Sequence, residues 1–220
     1  MRPRYRCVVF DVDSTLTSIE GVDWLAARRA PGVAAEIRVM TERAMAGSVP
    51  LEEVYGHRLD RIMPTRADIR ELSQAYIDAV QPGARALCEA LDDAGCTVLL
   101  LSGGIRQAIV PLAKHLGVPT DAVHAVEIAF DDAGVYSGLR GPQILATQGG
   151  KPAVLHSLRG DLTRPIVLIG DGSTDAAARG VSDAFIAFTG VTRRAAVVAV
   201  ADSEASDFAA LHPLLFGTSR

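Results

Sequence analysis

At 220 residues the chain can bury a full hydrophobic core, and its 49% hydrophobic content lies outside the disordered range. A net charge of −4 with only 5% aromatic residues argues against a general nucleic-acid binder, which needs basic patches and stacking surfaces. No apolar run approaches the ~18 residues of a membrane span, the start "MRPRYRCVVFD" is too poor in apolar residues for a secretory leader, and Cys7, Cys88 and Cys96 lack metal-type spacing and read as free thiols of a reducing cytoplasm.

In chain order, the first apolar run, "CVVFD" (7–11), stops at Asp11, and a second carboxylate, Asp13, follows with one residue between. Residues 18–80 then read as helices: Val33, Ile37, Met40 and Ala44 share one face, and "APG", "AGSVP" and "MPT" supply breakers. This stretch is expected to be a helical cap inserted after the first strand, with 1–17 and 81–220 forming the core. A helical stretch, "PGARALCEALDDAG" (82–95), precedes the apolar run "CTVLLLSGG" (96–104). In "IRQAIVPLAKHLGV" (105–118), Ile105, Ile109, Leu112 and Leu116 recur at helical spacing, and Pro111 predicts a kink or a boundary. A hairpin is expected in "EIAFDDAGVYSG" (127–138), and the apolar runs "PIVLIGDG" (165–172) and "AFIAFTG" (184–190) complete the series. Continuous apolar strands alternating with helices predict an α/β fold with a doubly wound parallel sheet. Such sheets bind ligands beyond the carboxyl ends of their strands, and Asp11, Ser102 and Asp171 lie at such ends.

That arrangement would gather Asp11, Asp13, Ser102, Lys151, Asp171 and Asp175. Four carboxylates brought together repel one another unless a cation compensates. Hard oxygen donors without cysteine or clustered histidine select Mg2+ over zinc. Lys151, one of only two lysines in the chain, and Ser102 add a point charge and a hydroxyl suited to phosphate oxygens. The "SGG" and "GDG" turns let backbone N–H groups approach an anion. Asp11 is then placed to attack phosphorus and form an aspartyl-phosphate, with Asp13 as general acid and base.

The segments "FDVDSTLT", "LLLSGG", "GGK" and "LIGDGSTD", in this order at strand ends, resemble the four motifs of the haloacid dehalogenase-like (HAD) phosphatases. Within that family the phosphoserine phosphatases are the most similar branch, through "SIEGVDWLA" and "ERAMAGSVPLEEVYGHRL" as well. The resemblance implies a doubly wound core with a helical cap, and Mg2+-dependent hydrolysis of a small phosphorylated metabolite, phosphoserine, in serine biosynthesis. It implies Asp11 as nucleophile and metal ligand, Asp13 as acid/base and backbone-carbonyl metal ligand, and Asp171 and Asp175 as metal-site acids. Ser102, Lys151 and the Gly103 N–H would hold phosphate; Glu20 would meet the substrate ammonium and Arg58 its carboxylate. Met45 and Leu51 would form an apolar wall. Thr174 stands where many relatives carry asparagine, as does Val126, and the match thins before Arg194, leaving that residue without a firm role.

Two other functions fit part of the pattern. A phosphatase or phosphotransferase for another small phosphomonoester would keep the core acids and change the specificity residues. A phospho-aspartate signalling module would also use acidic strand ends, a lysine and Mg2+, but would hold its phosphoryl group without turnover.

Overall fold

The computed structural model describes residues 2–45 and 48–217, without the side chains of residues 44, 45 and 51. Strand β1 (Cys7–Phe10) is buried at every position, as its unbroken apolar run requires of a strand covered on both faces. A tight turn over residues 12–16, with Ser14 at φ 53°, leads to helices α1 (Gly21–Ala27), α2 (Pro31–Met45), α3 (Leu51–Ile62) and α4 (Arg66–Asp78). The rest of the chain alternates: α5 (Ala84–Asp93), β2 (Thr97–Ile105), α6 (Arg106–His115) and β3 (Val123–Val126). The hairpin β4 (Ile128–Phe130) and β5 (Tyr136–Leu139) comes next. The chain then continues through α7 (Gly150–Leu158), β6 (Ile166–Gly170), α8 (Ser173–Ala177), β7 (Ala184–Phe188), α9 (Ala195–Val198), β8 (Ser203–Ala205) and α10 (Phe208–Phe216).

Six strands form one parallel sheet in the order β3-β2-β1-β6-β7-β8. The order reverses between β1 and β6, and the crevice there is where a doubly wound sheet takes its ligand. Register places Cys7 beside both Thr97 and Ile166. Helices flank the sheet; Phe208 of α10 stacks on Phe10 at 6.2 Å and tilts against Phe188 at 5.4 Å, filling the core on that side.

The chain enters and leaves the α1–α4 segment through two paired connections. Ser18 N–H donates to the Ala79 carbonyl and Gln81 N–H to the Leu16 carbonyl, both at 2.9 Å. Helix α4 packs along α6. The hairpin turns at Gly134 (φ +79°), where an L side chain would be strained, and docks on the α3–α4 junction. There the Arg66 N–H donates to the Gly134 carbonyl and the Tyr136 N–H to the Pro64 carbonyl.

Three local expectations change. Pro111 is not a boundary: α6 continues past it, and Ala108, Ile109, Leu112 and Ala113 around it are all buried. Ile105 closes β2 instead of opening that helix. Strand β2 also pairs irregularly with β3 between Leu101 and Ile105, which takes Ser102, Gly103 and Gly104 out of the regular ladder. The short strands β3 and β8 were outside the four predicted runs.

Candidate active site

The turns after β1, β2 and β6 and the start of α7 converge. Asp11 follows β1 directly, and its N–H donates to the Ile169 carbonyl at 2.9 Å, which fixes the β1 exit beside the β6 exit. Lys151, the second residue of α7, is buried, with its Nζ 2.8 Å from Asp11 Oδ1 and 2.6 Å from Asp175 Oδ1. Gly150 before it cannot carry a side chain, since a Cβ would overlap the Ile144 carbonyl. Asp175, with no exposed surface, accepts a further hydrogen bond from Gly172 N–H at 3.0 Å. Its carboxyl rests on Gly170, where a Cβ would overlap it. Asp171 is paired with the Arg194 guanidinium, whose Nη1 also donates to the Asp171 carbonyl at 3.3 Å.

Asp11, Asp171 and Asp175 each offer a carboxylate oxygen within 4.8 Å of the others, all buried. Burial, then Asp175, holds the Asp11 carboxyl well above its ordinary range against the pull of Lys151. Burial likewise pushes Asp171 up to about 6 while Arg194 pulls it down. Lys151 goes the other way: burial disfavours its charge, but Asp11 and Asp175 outweigh that and raise its affinity for the proton. Three buried acids, with the proton affinity of Asp11 and Asp171 raised, are an anionic site short of positive charge, and the all-oxygen donor set fits a hard divalent cation.

Asp13 is built differently. Its Oδ1 accepts from Gly21 N–H at 2.8 Å and from the Tyr76 hydroxyl at 2.7 Å. Burial raises its proton affinity and these two donors oppose the rise. Its carboxylate is outside the three-acid cluster. The Ser102 hydroxyl, almost fully buried, accepts from Gly104 N–H at 2.9 Å.

One cavity is walled by Asp11, Asp13, Ser102, Gly103, Lys151, Asp171, Thr174 and Asp175 on the strand-end side, and by Glu20 and Arg58 from the helical segment. Glu20 accepts from the Ser14 hydroxyl at 2.6 Å, and burial, reinforced by Asp13 and Asp171, lifts its carboxyl to about 8. It is half-buried, so it is more than an exposed acid at a helix start. Arg58 is 3% exposed and donates from Nη1 to the Thr41 hydroxyl at 2.8 Å; Thr41 in turn donates to Asp23 at 2.6 Å. The side chains of Met45 and Leu51 lie outside the described residues. Val126 is buried in β3 and is not among the residues that wall the cavity.

A profile of the haloacid dehalogenase-like hydrolases matches residues 8–178. The chain belongs to this family. Among members of the haloacid dehalogenase-like hydrolases it is similar to the phosphoserine phosphatase of Mus musculus, 38% identical over 184 residues, covering 83% of this chain and 81% of that one. It is also 38% identical over 198 residues to the chloroplastic phosphoserine phosphatase of Arabidopsis thaliana, covering 89% of this chain and 66% of that protein. Its fold superposes on that of a phosphoserine phosphohydrolase-like protein from Francisella tularensis with a TM-score of 0.86 and 25% identity, covering 95% of this chain and 99% of that one.

Several residues at the site were given no role by the motifs. Asp23, Thr41, Tyr55 and Tyr76 all touch or line it. Tyr55 stands three positions before Arg58, a spacing that puts both on one helix face and was readable. Thr41 and Tyr76 reach the site from other helices, and no local pattern marks them.

Proposed function

We propose that the chain is a phosphoserine phosphatase dependent on Mg2+, hydrolysing O-phosphoserine to serine and phosphate. The observation that carries the reading is the two-ended cavity. The acid cluster, Ser102 and Lys151 stand at the strand ends, and Glu20 and Arg58 face them from the helical segment. A phosphate, an ammonium and a carboxylate on one small molecule would meet Lys151 and Ser102, Glu20, and Arg58. Burial, then the charges of Asp13 and Asp171, hold the Glu20 carboxyl up to about 8, and an ammonium placed beside it would favour its ionised form. The names of the relatives supply the same substrate.

In this reading Asp11, Asp171 and Asp175, with the Asp13 carbonyl, hold the ion, which when bound neutralises charge on the phosphoryl group and on Asp11. Lys151 and Ser102, with the Gly103 N–H and Thr174, orient the phosphoryl oxygens. An Asp11 carboxylate oxygen attacks phosphorus as the bond to the serine oxygen breaks, and Asp13 gives that oxygen its proton. Water then attacks the aspartyl-phosphate while Asp13 takes a proton from it, releasing phosphate and restoring Asp11. We read residues 18–80 as the cap that excludes bulk water, on a core of 1–17 and 81–220. We also read the chain as a cytoplasmic enzyme of serine biosynthesis. That placement is supported by three free cysteines and by no helix, among the described residues, long and apolar enough to cross a membrane.

Phosphate release in Mg2+ is the test, over phosphoserine, phosphothreonine, phosphoethanolamine, phosphoglycerate and an aryl phosphate. Phosphoserine is expected to give the highest kcat/KM. Another compound ranking well above it would replace the assignment, and a stable phospho-Asp11 without turnover would point to a signalling module.

A further inference from the structure

The cavity wall on α3 holds two hydrogen-bond donors without acceptors among the described residues. Tyr55 is 2% exposed, lines the cavity, and its hydroxyl has no hydrogen-bond partner among the described residues. Arg58 Nε, buried on the same wall, likewise has none. Buried polar atoms are nearly always paired, and a buried phenol usually finds a partner. Two unpartnered donors, three positions apart on one helix face and facing one cavity, are arranged for a ligand. The guanidinium carbon sits 5.3 Å from the Tyr55 ring centroid, so the ring also steadies the cation.

We propose that the Tyr55 hydroxyl is a specificity-determining contact that donates to the substrate carboxylate alongside Arg58, a proposal that rests on the phosphoserine reading above. Three features assign the ligand chemistry. First, both free groups are donors and one is cationic, so they ask for an anion. Second, the phosphoryl group already has Lys151 and Ser102 at the strand ends, whereas Tyr55 and Arg58 belong to the helical wall. Third, Arg58 is braced by a hydroxyl and not by an acid. Its Nη1 is taken by Thr41, Asp23 is held one hydroxyl away, and among the described residues Arg58 makes no ion pair. The guanidinium is thereby oriented with its charge left for a ligand. A carboxylate has lone pairs enough for the Arg58 fork and a third donor. Burial pushes the Tyr55 phenol above its ordinary range, which keeps it protonated and donating.

Tyr55→Phe keeps the ring against Arg58 and removes only the oxygen. The readout is kcat/KM of the full chain, in Mg2+, on phosphoserine and on phosphoethanolamine, which shares the ammonium and lacks the carboxylate. A hydrogen bond to a charged group is worth roughly tenfold in binding. The phosphoserine-to-phosphoethanolamine ratio is expected to fall about tenfold, mainly through a higher KM for phosphoserine. The ligand-free melting temperature should hold or rise, because an unpaired buried hydroxyl has gone. An unchanged ratio, whether both substrates are spared or both lose equally, overturns the proposal, as does a lowered melting temperature, which would give the hydroxyl a structural partner. If the unaltered protein itself does not prefer phosphoserine, the phosphoserine reading falls and this subsite with it. If that preference is present and survives in the variant, only the subsite falls.

Discussion

Asp11 and Asp13 lie two positions apart and face different partners. Asp11 shares Lys151 with Asp175 in a buried cluster, while Asp13 is gripped through one oxygen by a backbone amide and a tyrosine hydroxyl. Two carboxylates in separate electrostatic settings can divide nucleophilic and proton-transfer work. Asp11→Asn replaces the attacking oxygen with an amide, and phosphate release from phosphoserine is expected to fall by at least about a thousandfold. Activity within tenfold of the unaltered protein would refute the covalent route. Arg58→Ala is expected to raise KM for phosphoserine about a hundredfold and to leave an uncharged aryl phosphate far less affected, because a charge pair is lost only with the former; equal losses would make Arg58 structural. At this scale Asp11 and Asp171 were legible because each stands directly at the end of an apolar run. Thr41 and Tyr76 were not, because their roles are set by the packing of α2 and α4, and a threonine or tyrosine on a helix carries no mark of what it will meet.

Among the elements, four of the six parallel strands could be read from continuous apolar runs and most helices from periodicity, whereas β3 and β8, of four and three residues, are too short for such a run. Helix α6 continues past Pro111, and a register shift drew Ile105 into β2. Local patterns encode neither. Gly170, the last residue of β6, illustrates the same point: its lack of a side chain is what lets the Asp175 carboxyl lie against the strand. Gly170→Ala is expected to cost about 1–3 kcal/mol of stability. Turnover should fall with it as Asp175 and its partner Lys151 move, and melting curves together with phosphate release would measure both. Helix α4 opens on a reciprocal cap in which Thr65 accepts from Asp68 N–H and Asp68 accepts from Thr65 N–H. Burial opposes ionisation of Asp68, but Arg29 and Thr65 prevail and hold it at about 2. An unfolded aspartate titrates near 3.9. Its folded value is depressed, so its stabilising contribution is complete above about pH 4 and is lost as pH falls through about 2. Asp68→Asn should therefore flatten the acid limb of a stability-against-pH curve in that window, and Thr65→Ala should cost about 1 kcal/mol at neutral pH.

For the whole molecule, the buried acids are a debt of negative charge that Lys151 and Arg194 only partly offset. A divalent ion that binds the folded form alone stabilises it by about 2.7 kcal/mol at a hundred times its dissociation constant. Adding Mg2+ is thus expected to raise the melting temperature by several degrees, and EDTA to reverse the rise and stop phosphate release. A melting curve indifferent to both would leave the acid cluster without its ion. Ca2+, which takes more ligands in looser geometry, should support turnover poorly even if it stabilises.

The strand order has a bearing on synthesis. The strand that carries Asp11 is central, with Cys7 seated between Thr97 and Ile166. On the ribosome it emerges before both of its neighbours; one edge waits for β2 and the other stays open until β6 has been translated. Until then the nascent chain exposes an unpaired apolar edge, the kind of surface that invites aggregation and chaperone capture. No fragment released before β6 can bring Asp171, Asp175 and Arg194 to Asp11, so a prematurely terminated product is left without a hydrolytic centre.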